Sequence, residues 1–276
     1  MSASRNRIAV ATIAALTLAV ALGAGAHAAS TPTRVLPPVN GQFDYQIGGP
    51  YHPIAAVKIV DRDRTASPAA GKYNICYVNA FQTQPGEASF WTGSHANLLL
   101  KNSKGKYLID PDWPDEYLLD TSTSAKRASL AAIINRWIDG CATQGFQAIE
   151  PDNLDSWTRS KGKLTKANNM ALATLLATHA HSKGLAIAQK NTAELGSAGK
   201  TSVGFDFAIA EECQVYTECD SYTGPYGNRV IEIEYTDNAR SAYTKACAAQ
   251  GKHISVILRD RDVVPAGQSA YRYEAC

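Results

Sequence analysis

Residues 146–191 read FQAIEPDNLDSWTRSKGKLTKANNMALATLLATHAHSKGLAIAQKN, and this stretch decides the fold. Phe146–Asp152 is a short apolar run that ends in acids. Thr165–Gly184 carries Leu172, Leu175 and Leu176 at helical spacing and stops at a glycine, as a helix C-terminus does. Leu185–Asn191 is a second β run, ending in Lys190 and Asn191. Strand, helix and strand in this order form a βαβ unit, whose strands lie parallel with the helix packed on one face. The same periodicity places His179 on the buried stripe of the helix, so the His179-x-His181 pair reads as packing and not as a metal motif.

The pattern repeats in both directions. Further strands are expected at Phe43–Ile47, Val57–Asp61, Asn74–Asn79, Phe205–Glu212, Arg229–Tyr235 and His253–Asp260. Further helices are expected at Ser124–Gly140 and Ala239–Gly251. Eight β units in a chain of 276 residues fit a single-domain α/β fold of the closed (β/α)8 TIM-barrel type. An open doubly wound sheet is the rival. It normally shows a Gly-rich phosphate turn after its first strand, and Gly48-Gly49-Pro50 is not one. One connection is too long for a plain βα unit. Between Ala80 and Thr123, Leu98–Ile109 reads as a β-hairpin about Asn102-Ser103-Lys104-Gly105. The acid- and aromatic-rich run Asp110–Asp115 follows it. This insertion after strand 3 is expected to wall a cleft.

The N-terminus is different in kind. Arg5 and Arg7 precede an uncharged run from Ile8 to Gly25, and Ala26-His27-Ala28 has the form of a signal-peptide cleavage site. We therefore divide the chain into a signal peptide at residues 1–28, a flexible lead-in at 29–41 and the barrel at 42–276, and expect a secreted protein. Removing the leader takes away two arginines and no acid, which levels the 27 basic side chains against the 25 acidic ones. Such a balance argues against a nucleic-acid or membrane-surface partner, and nothing suggests an obligate oligomer, so a monomer is expected. All 6 cysteines follow the leader, and an even count in an exported chain points to disulfides before metal. Cys213 and Cys219 are close enough to staple a local loop. Cys76 with Cys141 and Cys247 with Cys276 are the further pairings expected.

Chemistry collects where strands end. Asp61, Glu150, Asp152, Asp155, Glu211, Glu212, Glu234, Asp260 and Asp262 come from distant segments, and a parallel barrel brings the ends of all its strands to one face. Acids at the end of an apolar strand are costly unless they meet a solvated or hydrogen-bonded site. Paired carboxylates with aromatic neighbours such as Tyr77, Trp113, Trp157 and Tyr235 suit glycoside hydrolysis. There one acid protonates the leaving oxygen while an ionised one attacks or activates water. The same acids could instead bind a divalent cation, so residue types alone leave hydrolase and binding module both open.

Several blocks in order carry a family resemblance. They are Val57–Asp61, Cys76–Ala80, Trp113–Asp120, Gly145–Asp155 with its E-P-D-N-x-D core, Lys190-Asn191, Glu211–Cys213 with Cys219, Glu234-Tyr235 and Arg259–Arg261. From about Gln46 to Cys276 the chain resembles the endo-α-1,4-polygalactosaminidases, glycoside hydrolase family 114. The resemblance implies a barrel that cleaves α-1,4-linked galactosamine or N-acetylgalactosamine polysaccharide internally, with no cofactor and no metal. It implies Asp152 as nucleophile and Glu211 as general acid/base, the exchanged roles remaining open. Glu150 is expected to orient Lys190 or Asn191. Asp61, Tyr77, Trp113, Asn153, Asp155, Lys190, Asn191, Glu234, Tyr235 and Asp260 are expected to bind substrate, and Trp157 to be either a sugar platform or a lid anchor. Departures from the family pattern are Ala210 before the sixth-strand glutamate, Thr192 after Lys-Asn, and Tyr117 where tryptophan is frequent. A non-catalytic carbohydrate-binding barrel and a metal-dependent polysaccharide deacetylase are the competing readings.

Overall fold

In the computed structural model, Met1 and residues 33–276 are described; the rest of the leader read at residues 1–28 and the start of the lead-in lie outside them. Eight parallel strands run in sequence order around a barrel: β1 Phe43–Tyr45, β2 Ile59–Asp63, β3 Tyr73–Asn79, β4 Ala148–Asp152, β5 Ala186–Lys190, β6 Phe207–Glu211, β7 Val230–Tyr235 and β8 Ser255–Arg259. All eight expected strands are present, with ends shifted by a few residues. An unexpected ninth, β9 Tyr273–Ala275, pairs antiparallel with β8. Side chains bridge β8 to the β1 segment, Ser255 Oγ donating to the Gly41 carbonyl at 2.6 Å and Arg259 to that of Tyr45.

Strand alternation sorts residues into two cores. Phe43, Ile59, Ile75, Ala148, Ala188, Phe207, Ile209, Ile233 and Ile257 fill the barrel interior. Val78, Ile149, Ile187, Ala208, Val256 and Leu258 point outward into a second core beneath the helices. Those helices are α1 Ala88–Thr92, α2 Ser124–Gln144, α3 Lys166–Ser182, α4 Cys213–Tyr216, α5 Asp220–Tyr226 and α6 Arg240–Gln250. The helix ring is incomplete: between β1 and β2, and between β2 and β3, the described chain forms only turns and loops.

Local chemistry sets the helix limits. Thr123 caps α2 by accepting from the Lys126 N–H, and a reciprocal Thr165–Asn168 capping box opens α3. The α2 stop is Gly145, at φ 92°, and not Gly140, which lies inside the helix. Gly251 after α6 has an ordinary φ of −60°. Its missing Cβ serves close approach instead, since one built there would lie 2.9 Å from Cys276 Sγ. The expected stripe of α3 is half right. Leu172 and Leu176 are buried, but Leu175 is exposed and His179 is only half-buried, bonding Asp139 at 2.8 Å.

All three expected disulfides form: Cys76–Cys141 ties β3 to α2, Cys213–Cys219 closes the loop after β6, and Cys247–Cys276 ties α6 to the C-terminus. The insertion contains the expected hairpin, Lys101 pairing with Tyr107, and adds a third extended segment through the Leu99–Leu119 and Ile109–Tyr117 bridges. In the lead-in, Leu36 packs against the barrel core and the Pro37 carbonyl accepts from Arg229.

Candidate active site

The barrel opens at the C-terminal ends of its strands into a cavity of about 360 Å³. Strand parity decides which side chains reach it. On β4, Ala148, Glu150 and Asp152 point inward; on β6, Phe207, Ile209 and Glu211; on β7, Ile231, Ile233 and Tyr235. The last inward residue of each of these three strands meets the cavity. After β4, β5 and β6 the chain enters the left-handed region at Asn153 (φ 63°), Asn191 (φ 47°) and Glu212 (φ 61°). Non-glycine residues held there concentrate at functional sites, and asparagine tolerates the conformation best.

Lys190 is the centre of the site. Its ammonium is buried and lies 2.7 Å from Glu150 Oε1, 3.1 Å from Asp152 Oδ1 and 3.4 Å from Glu211 Oε2. It also donates to the Tyr45 hydroxyl at 3.0 Å, which donates onward to Glu150. Tyr77 donates to Asp152 Oδ2 at 2.8 Å. Glu211 accepts from the Tyr235 hydroxyl and from Asn191 Nδ2, while its own N–H is held by Asn191 Oδ1. One ammonium touching both Asp152 and Glu211 limits the gap between those oxygens to the two contacts laid end to end. That limit falls at the short edge of the ~6.5–9.5 Å spacing of inverting glycosidases and admits the ~5–5.5 Å of retaining ones.

The electrostatics differ from carboxyl to carboxyl. Burial pushes the Asp152 carboxyl up, but Lys190, the Tyr77 hydroxyl and the Asn153 N–H outweigh it, and its pKa falls below the ordinary range. Burial disfavours the charge of Lys190, yet Asp152, Glu150 and Glu211 hold it firmly protonated. Beneath it, burial and then Glu150 raise Asp61 well above its ordinary value.

Of the residues singled out in the sequence, Tyr77, Trp113, Asp152, Asn153, Asp155, Lys190, Asn191, Glu211 and Tyr235 all line the cavity. Glu150 lies one layer below, buried, and accepts from Lys190 at 2.7 Å. Three others do not reach the cavity. Asp61 points into the barrel but is buried under the mouth. Glu234 points outward, because Tyr235 occupies the inward parity, and accepts from the Gln214 N–H at the start of α4. Asp260 braces the C-terminal loop by accepting from the Val264 and Arg272 N–H groups. Trp157 packs on Leu100, Leu108, Leu118 and Leu164 beneath the insertion. The sequence reading missed the roles of Tyr45, Glu116, Arg159 and Arg261. Arg159 clamps Asp155 at 2.9 Å and Asp110 at 2.8 Å, and Arg261 stacks on Tyr235 while paired with Glu212 and Asp237. Glu116 belonged to a block already quoted, which was its signal.

Among the described residues, three metal-type side chains converge at Cys213, Cys219 and Glu232. Both sulfurs are spent in a disulfide and offer no thiolate.

A (β/α)8 barrel with two carboxylates facing one cavity across a shared lysine belongs to the class of glycoside hydrolases. The glycoside-hydrolase family GH114 matches residues 24–276, and the chain belongs to that family. Its fold is that of the crystal structure of Aspergillus fumigatus Ega3 in complex with galactosamine. That protein shares 21% identity at a TM-score of 0.69 over 90% of this chain and 100% of its own. The glycoside hydrolase domain of PelA from Pseudomonas aeruginosa is similar at 13% identity and a TM-score of 0.56, over 83% and 97%. No curated protein matches the chain by sequence.

Proposed function

We propose that the chain is a secreted enzyme that cleaves α-1,4-linked galactosamine-containing polysaccharide with retention of configuration. The observation that carries this reading is the Lys190 ammonium held between Asp152 and Glu211. It keeps Asp152 ionised and both carboxyls at one glycosidic bond. Family membership supplies the reaction class, and the galactosamine in the Ega3 complex supports the substrate class. Export is supported by the leader sequence at residues 1–28 and by three disulfides, which persist in oxidising compartments.

In the first step Glu211 gives its proton to the glycosidic oxygen while Asp152 attacks the anomeric carbon. The leaving sugar departs and a glycosyl ester forms on Asp152. Glu211 then takes a proton from water, the water oxygen attacks the anomeric carbon, and the Asp152 carboxylate is released. Tyr77 and Lys190 hold Asp152; Tyr235 and Asn191 hold Glu211.

The test is incubation of purified protein with α-1,4-galactosaminan, reading new reducing ends and products by mass spectrometry. Asp152→Asn and Glu211→Gln are each expected to lower the rate by about a thousandfold or more, with circular dichroism unchanged. Saturable polymer binding with no new reducing ends from the native protein would replace the hydrolase by a binding barrel.

A further inference from the structure

The ladder of the barrel is interrupted at one seam. Among the described residues β1 pairs with β2, and β8 pairs with β7 and β9, but no ladder joins β8 to β1. Side chains close this seam at three heights along β1. Lowest, Ser255 Oγ donates to the Gly41 carbonyl at 2.6 Å, and above it the Tyr273 hydroxyl donates to that of Phe43 at 2.8 Å. At the mouth, the Arg259 guanidinium donates to the carbonyl of Tyr45, the last residue of β1. Arg259 is fully buried, and it also donates to the Val264 carbonyl at 3.0 Å, the Tyr51 hydroxyl at 3.1 Å and Asp260 at 3.3 Å. Asp44 Oδ1 lies 3.5 Å away, and the Arg259 Nε–H has no partner among the described residues. A buried guanidinium with an orphan N–H and no fork onto a single carboxylate adds little stability. Its contacts go instead to main-chain position, at the ends of β1 and β8. Backbone strain gathers at the same clasp. Val263, buried and lining the cavity, is a β-branched residue held at φ 47°, a costly conformation that concentrates at functional sites.

The clasp holds one contact of the catalytic group. β1 is only 3 residues long, and its ladder runs along one side, where Tyr45 pairs with Asp61 of β2. Arg259 supplies the other side. The Tyr45 side chain reaches into the barrel, where its hydroxyl meets Lys190 Nζ at 3.0 Å and Glu150 Oε1 at 3.0 Å. The carboxylates around that ammonium belong to β4 and β6; Tyr45 is the contact that comes from beside the seam. Hydrogen bonds of this length weaken within a few tenths of an ångström, and a misplacement of about 1 Å costs catalysis about a hundredfold. We propose that Arg259 is a positioning residue: by clasping β1 to β8 at the mouth it seats the Tyr45 hydroxyl on Lys190, and so fixes where the ammonium sits between Asp152 and Glu211. It acts through Tyr45, since its own carboxylate neighbours are Asp44 and Asp260. The kinetic consequence rests on the hydrolase reading above, whereas the structural one does not.

The test is a double-mutant cycle of Arg259→Lys and Tyr45→Phe, with α-1,4-galactosaminan as substrate. Lysine keeps the charge but lacks the planar fork that spans Tyr45, Tyr51 and Val264 at once, and phenylalanine removes only the hydroxyl. Each single variant is expected to lose about tenfold in kcat with KM within about twofold. The double variant is expected to lose about tenfold as well, because both changes remove the same contact. Tyr51→Phe, which takes one acceptor from Arg259 and leaves the guanidinium in place, is the milder variant should the lysine protein not fold. It is expected to lose about threefold in kcat and to add nothing in the Tyr45→Phe background. Losses that multiply in the double variants, or a native kcat with a lowered melting temperature, overturn the assignment. A crystal structure of the clasp variant gives a readout that needs no substrate. The Tyr45 hydroxyl is expected beyond about 3.5 Å from Lys190 Nζ, and a hydroxyl found at its native place overturns the proposal. A displaced hydroxyl, together with a native protein that releases no reducing ends from the polymer, counts against the hydrolase reading alone.

Discussion

Replacing Lys190 by methionine keeps most of the side-chain volume and removes the one charge that three carboxylates share. At an effective dielectric of about 20, each contact near 3 Å is worth about 5 kcal/mol, and Glu150, Asp152 and Glu211 lie at 2.7, 3.1 and 3.4 Å. Desolvation of the ammonium cancels much of this, and breaking a buried pair from one side costs about 3–5 kcal/mol net. The orphaned acids respond by taking up protons. A quarter of one such attraction suffices to move a carboxyl by about one pH unit, so Asp152 loses its low pKa. Two measurements read this. The acidic limb of kcat/KM against pH is expected to move up by about a unit or more. The melting temperature is expected to drop, and by more at pH 8 than at pH 5. The sign follows from the acids: carboxyls whose folded pKa is raised lose stability as pH rises through that value. An acidic limb left in place, with a pH-independent loss of stability, would refute the electrostatic role of Lys190 and leave it a packing residue.

Two further outcomes are expected. On β7, burial and then Glu234 push the Glu232 carboxyl up to about 8, so the folded state holds a proton that the unfolded state gives up near its ordinary value of about 4.3. Stability is therefore lost between those two pH values, and Glu232→Gln is expected to be the more stable protein by a few kcal/mol at pH 9 and nearly matched at pH 4. Parallel melting curves across that range would sink the assignment. The two tryptophan candidates should separate: Trp157→Ala costs about 2–4 kcal/mol of stability and lowers the melting temperature, whereas Trp113→Ala, at an exposed position on the cavity rim, raises KM without moving it.

The barrel was legible because its signals are local. Each apolar run of five or so residues followed by a glycine-stopped helix is a βα unit, and acids at the ends of parallel strands have only one face on which to meet. Glu234 shows where that logic stops. The strand Val230–Tyr235 alternates apolar and acidic residues, which in a half-exposed sheet would put the acids in water. In a barrel both faces are buried, so the pattern cannot say which parity faces the mouth. Tyr235 takes the inward side, and the Glu232–Glu234 pair is left between strand and helix. Asp61 has the inward parity but ends one layer too low, a matter of stagger between strands that single-strand patterns do not carry. Glu116 and Arg159 lie in segments without periodicity, positioned by amide side chains from three elements, and no spacing rule reaches them.

The asymmetry around Lys190 also bears on which carboxylate does what. An ammonium has three N–H donors. Glu150 at 2.7 Å, the Tyr45 hydroxyl at 3.0 Å and Asp152 at 3.1 Å are the three nearest acceptors, and Glu211 at 3.4 Å is left with attraction through space. Asp152 thus has the closer ammonium contact in addition to the hydrogen bond from Tyr77, while Glu211 is held by Tyr235 and Asn191. A nucleophile must stay ionised through the pH range of turnover, whereas an acid/base must exchange its proton twice per cycle. The carboxyl nearer the ammonium suits the first task, and the one farther from it suits the second. Glu150, at 2.7 Å, enforces this choice by pulling the ammonium toward β4 and away from β6. Glu150→Gln is then expected to let Lys190 swing away from Asp152, raising the acidic limb of the kcat profile. An acidic limb left in place would mean that Glu150 has no part in holding the ammonium against Asp152.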